Sequence, residues 1–463
     1  MRLFKRVLKW FGISLLALVA CGFLLLMLLP SIVRVLPFFL KPKVDAEIAA
    51  IKAKGEPVTQ AELAKPPIPD AENGAVVYKA IFQAMDGPQA KKDHEIAVRF
   101  SRAGESFDPT REARLAISRL GHLVPMVEEA QSRPKCAFPI DWKAPPMEVR
   151  FSHLAYVRRL SCLLCASAML DAKDGNSDRA LHLLELAYGM SDSVSNGPTL
   201  TSHYVRAAVI AMSSRTLGYV AGHCDLSGRQ ARKLYDRLSS IDLSGGSHDA
   251  LAGERAMGIS QYSLLREHPD IAIKQLDHTS PSSAKKTSEP IRPSAAFRAM
   301  MYWDELFYLR TMREGMEATR LPYREIKSRH LDSEPKIPPF CIVSAILLPV
   351  YSEAKKKDEG EASLAGDQIM LALIAYRDEY GSYPTNLTQL RAKLGWRIPI
   401  DPFTGKDFIY KPKGKGFLLY SIGPNLKDDG GISETEATVK YRSTPPPLSD
   451  KSNDYDIVWE MDY

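Results

Sequence analysis

The sequence has little of what usually announces a chemistry. Its 463 residues hold six cysteines, too few and too scattered for a disulfide ladder. No GxSxG elbow, HExxH helix or glycine-rich phosphate loop occurs, so the common signatures of serine hydrolases, zinc peptidases and nucleotide-binding proteins are missing. No basic cluster with interleaved aromatics appears, and the net charge of +6 is small for this length. Nucleic acid is therefore not an expected partner. Long apolar runs are scarce too, with one exception: Phe11–Leu29 carries no charge and is long enough to cross a bilayer as a helix.

Arg2, Lys5, Arg6 and Lys9 precede that run, and Arg34, Lys41 and Lys43 follow it. A short tail with four positive charges resists translocation, so the N-terminus is expected in the cytoplasm and the bulk of the chain outside it. The run is too long for a cleaved signal peptide. Leu18-Val19-Ala20-Cys21 resembles a lipobox ahead of an acylated cysteine, yet the chain stays apolar through Met27, where a mature lipoprotein turns polar. An uncleaved single-pass anchor is the preferred reading, with lipidation of Cys21 as the alternative.

The fold class expected from periodicity is mainly α. Residues 1–40 form the tail and anchor, 41–70 a proline-punctuated stalk with a short helix over Asp45–Lys54, 71–350 a helical domain, and 351–463 a small α+β domain. Asp70 is placed as the N-cap of a helix over Ala71–Met85. Further helices are expected over Met147–Lys173, Asp178–Ser195, Thr199–Gly222, Ser227–Ile241, Ser247–Glu267 and Ala295–Lys327. The first two, joined by Asp174-Gly175-Asn176, resemble a tetratricopeptide-like hairpin, so the domain is read as helical-repeat-like without a clean repeat. Residues 269–292 read as an exposed loop, and Ile342–Pro349 as a buried packing segment too short to span a bilayer.

Four features could carry chemistry. Cys162 and Cys165 form a CxxC inside a helical pattern with no second ligand pair, which suits two buried thiols better than zinc or redox work. His153, His182 and His203 lie on successive helices and could converge, or could serve as caps and partly buried polar groups. Glu254-Arg255 is an ion pair that could line a groove or be structural. The C-terminal part is the most specific. A helix over Ala362–Tyr380 ends at Gly381; Asp401-Pro402-Phe403-Thr404-Gly405 reads as a turn; strands follow at Asp407–Tyr410, Gly416–Ile422 and Asp456–Met461. Tyr376, Tyr380 and Tyr383 are expected to hold helix to sheet. Asn425, Asp428 and Asp429, between Gly423 and Gly430-Gly431, supply side-chain oxygens that suit either a solvated turn or a calcium ion, with Asp454 or Asp456 completing the shell.

The helix end Tyr376–Pro384, Asp401–Gly405 and Ser421-Ile422-Gly423-Pro424-Asn425-Leu426-Lys427-Asp428-Asp429 together resemble the globular head of the major pseudopilin of type II secretion systems. Pro69-Asp70-Ala71-Glu72-Asn73 is similar to the start of a family of uncharacterised bacterial membrane-anchored envelope proteins carrying the same C-terminal motifs. The resemblance implies a helix packed on a small antiparallel sheet, a calcium-binding loop formed by Asn425, Asp428, Asp429 and Asp456, and a place in the bacterial inner membrane with the bulk periplasmic. The chain departs from pseudopilins in placing residues 41–350 between anchor and head, and it lacks their leader. A non-enzymatic binding or scaffolding role with a protein or peptide partner is expected. A structural part of a secretion or pilus-like apparatus and a membrane-anchored hydrolase are the alternatives.

Overall fold

The computed structural model describes residues 35–103, 111–243, 245–269, 294–331, 333, 335–339, 341–348, 353–433 and 456–461. The chain is mainly helical, with one three-stranded antiparallel sheet near the C-terminus among the described residues. The run Phe11–Leu29, the lipobox-like Leu18–Cys21, Asp454 and nearly all of the expected loop at 269–292 lie outside the described residues. Among the described residues no helix is long and apolar enough to cross a membrane.

Helix α1 covers residues 35–53, starting ahead of the expected Asp45. It buries Leu40, Val44 and Ile51, which share one face at helical spacing. Helix α2 (Gly74–Met85) starts later than expected and is capped by Asn73, whose Oδ1 accepts from the Ala75 N–H at 3.1 Å. Asp70 instead opens a 3-10 turn. The cause is tertiary: Gly74 N–H donates to Lys135 at 2.8 Å and Lys135 N–H to Glu72 at 3.1 Å, which pulls this stretch out of the helix. Helices α3 (Pro88–Ala103), α4 (Arg111–Leu120) and α5 (Val124–Ser132) complete this flank.

The centre is made by α6 (Ser152–Lys173), α7 (Ser177–Ser193) and α8 (Leu200–His223), which pack on one another. Gly175, at φ +79°, breaks α6 from α7 in the left-handed conformation that glycine tolerates. Cys162 and Cys165 are buried in α6, as core thiols should be. After α9 (Gly228–Ser239) and α10 (Gly246–Glu267), the expected helix Ala295–Lys327 is two helices, α11 (Ala295–Ala318) and α12 (Tyr323–Ser328). Pro322 interrupts it, and buried Asp358 accepts from the Tyr323 N–H at 2.8 Å to cap the new start. Helix α13 (Ile342–Leu347) is only half as expected: Ser344 is buried, whereas Ile342 is 57% and Ile346 56% exposed.

Helix α14 (Glu353–Tyr380) joins everything. Ile369, Leu371, Leu373 and Ile374 are buried around its whole girth, so it must be covered on all sides. Helices α8 and α9 cover one side; β2 (Gly416–Ser421) and β3 (Ile457–Met461) cover the other, with β1 (Ile409–Lys413) on the far edge of the sheet. Phe417 and Leu419 face Met461 and Trp459 across the central ladder. The main hydrophobic core thus runs unbroken from Val77 to Met461, across residue 351. Of the three expected tyrosines, Tyr383 meets Phe417 of the sheet with ring centroids 5.0 Å apart and Tyr376 is buried, whereas Tyr380 is 40% exposed. A second cluster joins α1 to α10 and α11.

Candidate functional site

The stalk and the flank of early helices enclose a groove of about 730 Å³. Its floor is a run of near-parallel rings. His153 stacks on Phe138 at 4.4 Å, Phe138 on Phe82 at 5.9 Å, and Phe82 on Tyr156 at 4.9 Å, each within 17° of parallel. Phe82 comes from α2, His153 and Tyr156 from the first turns of α6, and Phe138 from the segment that pairs with Asn73. Burial lowers the His153 imidazole to about 4, so at neutral pH it is an uncharged ring among rings.

The opposite wall is Leu63 to Ile68, with Pro66 and Pro67. It is held from both ends. Gln60 Nε2 donates to the Trp142 and Ala144 carbonyls, each at 2.8 Å, and Gln60 N–H to Ser260 Oγ at 2.8 Å. Lys65 Nζ donates to the Asn196 carbonyl at 2.7 Å, and Arg133 to the Asp70 carbonyl at 2.6 Å. Prolines fix φ and carry no N–H, so the clamped segment forms a stiff wall. Burial pushes the Cys136 thiol in this groove up to about 12, so it stays protonated at neutral pH. Aromatic faces beside a rigid proline wall can take an extended peptide by stacking and by contact with backbone carbonyls.

A second, larger cleft of about 940 Å³ lies between α9, α14 and the 395–402 segment, which follows α15 (Leu387–Leu394). Most of its charges already serve the fold. Arg232 stacks over Trp396 at 4.7 Å, Arg324 donates to the Pro402 carbonyl at 2.8 Å, and Asp358 caps α12. Burial raises both Asp358 and Glu361, one turn apart on α14.

The three histidines do not converge. His153 lines the groove, His182 meets Glu128 at 2.6 Å on the surface, and His203 contacts Ser247 at 3.2 Å in the interior. Glu254 and Arg255 each reach a different element. Glu254 accepts from the Leu200 N–H at 3.0 Å, while Arg255 pairs with Glu56 of the stalk at 2.5 Å. Helix geometry explains this, because adjacent residues point to different faces.

The acidic loop does come together. Asp456 accepts from the Gly431 N–H at 2.7 Å through Oδ2 and faces the Asp429 N–H through Oδ1 at 3.4 Å. Asp428 accepts from Tyr420 OH at 3.0 Å and from the Gly430 N–H at 2.9 Å. Asn425 Nδ2 donates to Asp429 at 2.6 Å, and Asn425 Oδ1 accepts from the Lys427 N–H at 2.9 Å. Burial raises the Asp456 carboxyl, the two N–H bonds oppose that, and the charges of Asp429 and Asp428 add to it. In this arrangement the loop closes on its own N–H groups, and among the described residues no group of three His, Cys, Asp or Glu side chains is set as a metal shell.

The groove was missed by sequence reasoning because its rings lie far apart in the chain; the signal available was the density of prolines and aromatics in residues 57–69 and 138–156. Compared with protein-family models, with curated proteins and with solved structures, the chain matches none.

Proposed function

We propose that the protein is a single-pass anchored envelope protein of the bacterial inner membrane, with a cytoplasmic N-terminus, which binds an extended peptide segment of a protein partner. The observation that carries the binding role is the aromatic floor facing a clamped proline wall. The anchor is Phe11–Leu29. Peptides selected by display against the full chain in lipid nanodiscs are expected to lose about tenfold in affinity on Phe138→Ala, the effect of one stacked aromatic anchor. His182→Ala, on the surface, is expected to leave binding unchanged. Selected peptides indifferent to Phe138→Ala would remove the groove from the account.

The pseudopilin-like reading of the C-terminal part is supported by α14 resting on a three-stranded antiparallel sheet. The same helix is covered by α8 and α9 on its other side, which favours a head built into a larger body over a filament subunit. Calcium at Asn425, Asp428, Asp429 and Asp456 is part of this reading: burial chiefly raises the Asp456 carboxyl, and the charges of Asp429 and Asp428, which add to it, are what a cation would offset. Millimolar calcium is expected to raise the melting midpoint of the full chain relative to chelator, by mass action, and the rise should vanish in Asp428→Ala with Asp429→Ala. An unmoved midpoint would reduce the loop to a turn.

A hydrolase reading has one observation behind it, the pair of raised carboxyls Asp358 and Glu361 in the larger cleft. Turnover abolished by Glu361→Gln would favour it over the peptide groove.

A further inference from the structure

We infer that the folded body rests on the bilayer through a second, non-spanning contact, made by α13 and one exposed turn of α11 beside the start of α1. The inference rests on the reading of Phe11–Leu29 as the anchor.

Seven of the large hydrophobics that stay exposed gather at three places. Val35, Leu36, Phe38 and Phe39 open α1, at 49%, 38%, 85% and 67% exposure; Trp303 of α11 is 50% exposed; Ile342 and Ile346 share a face of α13. Buried Asp304 ties α13 to α11, accepting from the Val343 N–H at 2.9 Å and the Ser344 N–H at 3.1 Å. Lys41 of α1 lies within electrostatic reach of Tyr302, two residues before Asp304 on α11. Leu40 and Val44 share one hydrophobic cluster with Leu306 and Leu309, and Tyr302, Val343 and Leu347 pack against it. The opening of α1 and the whole of α13 therefore flank the same turn of α11, and Trp303 projects from that turn.

The occupant follows from chain connectivity. Five residues separate Leu29 from Val35, and the six Cα–Cα steps between them reach at most about 20–22 Å when fully extended. The opening of α1 therefore lies within that reach of the membrane surface, with Phe38 and Phe39 exposed. A tryptophan beside isoleucines suits the boundary between headgroups and acyl chains. Lys43 and Arg298, both exposed, lie on the same elements and match anionic headgroups. This also accounts for α13: its inner face is capped and packed, while more than half of Ile342 and of Ile346 stays exposed.

The test places a photo-crosslinking amino acid at position 346, at position 39 or at position 413 of the full chain. Each form is reconstituted in vesicles of phosphatidylethanolamine and phosphatidylglycerol with clickable acyl chains. Sedimentation after an alkaline wash reads the anchor separately. Chain retained on the vesicles, with lipid adducts at 346 matching those at 39 and at least tenfold above those at 413 on the sheet, is the expected result. Chain retained with position 346 no higher than 413 would overturn the second contact and leave the anchor standing. Adducts from 346 to a second protein copy would overturn it as well. Chain released by the wash would overturn the anchor reading and this inference with it.

Discussion

Replacing Asp367 by alanine is expected to cost about 3–5 kcal/mol of stability, read as a lower urea midpoint. Asp367 is fully buried on α14 and joins three other elements. Its carboxylate accepts from Tyr188 OH of α7 at 2.9 Å, from Trp459 Nε1 of β3 at 2.9 Å, and from Ser214 Oγ of α8. Alanine leaves the buried Tyr188 hydroxyl and Trp459 N–H without that acceptor, whereas half-buried Ser214 keeps Ser363 Oγ at 2.9 Å; each unsatisfied buried donor costs about 1–3 kcal/mol. The indole of Trp459 lies flat against Gly366, where a Cβ would come within 2.2 Å of it, so losing its hydrogen bond loosens β3 from the helix. A midpoint unchanged within error would mean that apolar contacts alone hold the sheet to α14.

The same residue carries a pH signature. Burial raises the Asp367 carboxyl to about 6, against the opposing hydrogen bonds of Ser214, Trp459 and Tyr188. Because the folded value lies above the unfolded one, its contribution is full below about 4 and is lost as pH rises through about 6. Asp367→Asn cannot titrate. The stability gap between wild type and Asp367→Asn should therefore be widest near pH 4 and narrow by pH 8. Comparing the two proteins isolates this group from His94, His153 and His203, which burial lowers to about 4 and which act in the opposite sense. A gap constant across that range would show that the carboxyl ionises in the folded protein as it does in the unfolded chain.

The second large effect is expected at Gly253 of α10. A Cβ there would stand 1.6 Å from the Pro198 carbonyl oxygen, which belongs to backbone and cannot rotate away. Gly253→Ala should destabilise by roughly 3 kcal/mol, since α10 must move off the entry to α8. That entry is also where Glu254 accepts the Leu200 N–H, so a shift breaks a second contact. Gly218→Ala is the control of opposite sign. It sits exposed within α8 with nothing within 4 Å of the added methyl, and should stabilise by about 0.5–1 kcal/mol through the unfolded chain. Equal small effects at the two sites would mean that the approach of Pro198 to α10 yields without cost.

Local chemistry fixed much of this protein in advance. The helix ending at Lys173 and its Gly175 break, the cap at Gly381 and the three C-terminal strands follow from apolar period and turn residues, which act over a few positions; the helix begins at Ser152 rather than Met147, and the first strand covers Ile409–Lys413 rather than Asp407–Tyr410. The Asp401 turn is of the same kind: Gly405 N–H closes it on the Asp401 carbonyl at 2.8 Å. The acidic loop was legible too, because Asn425, Asp428 and Asp429 lie within one short stretch. What only the tertiary structure decided depends on residues far apart in the chain. Asn73 displaces Asp70 as a cap because residues 135–137 pair beside it, and Arg255 finds Glu56 of the stalk. The aromatic groove needs Phe82, Phe138 and Tyr156 on three segments, and the exposed face of α13 arises because buried Asp304 takes only one side of it. Periodicity states that a helix has an apolar face; what meets that face, whether protein or lipid, is set by packing across the whole chain.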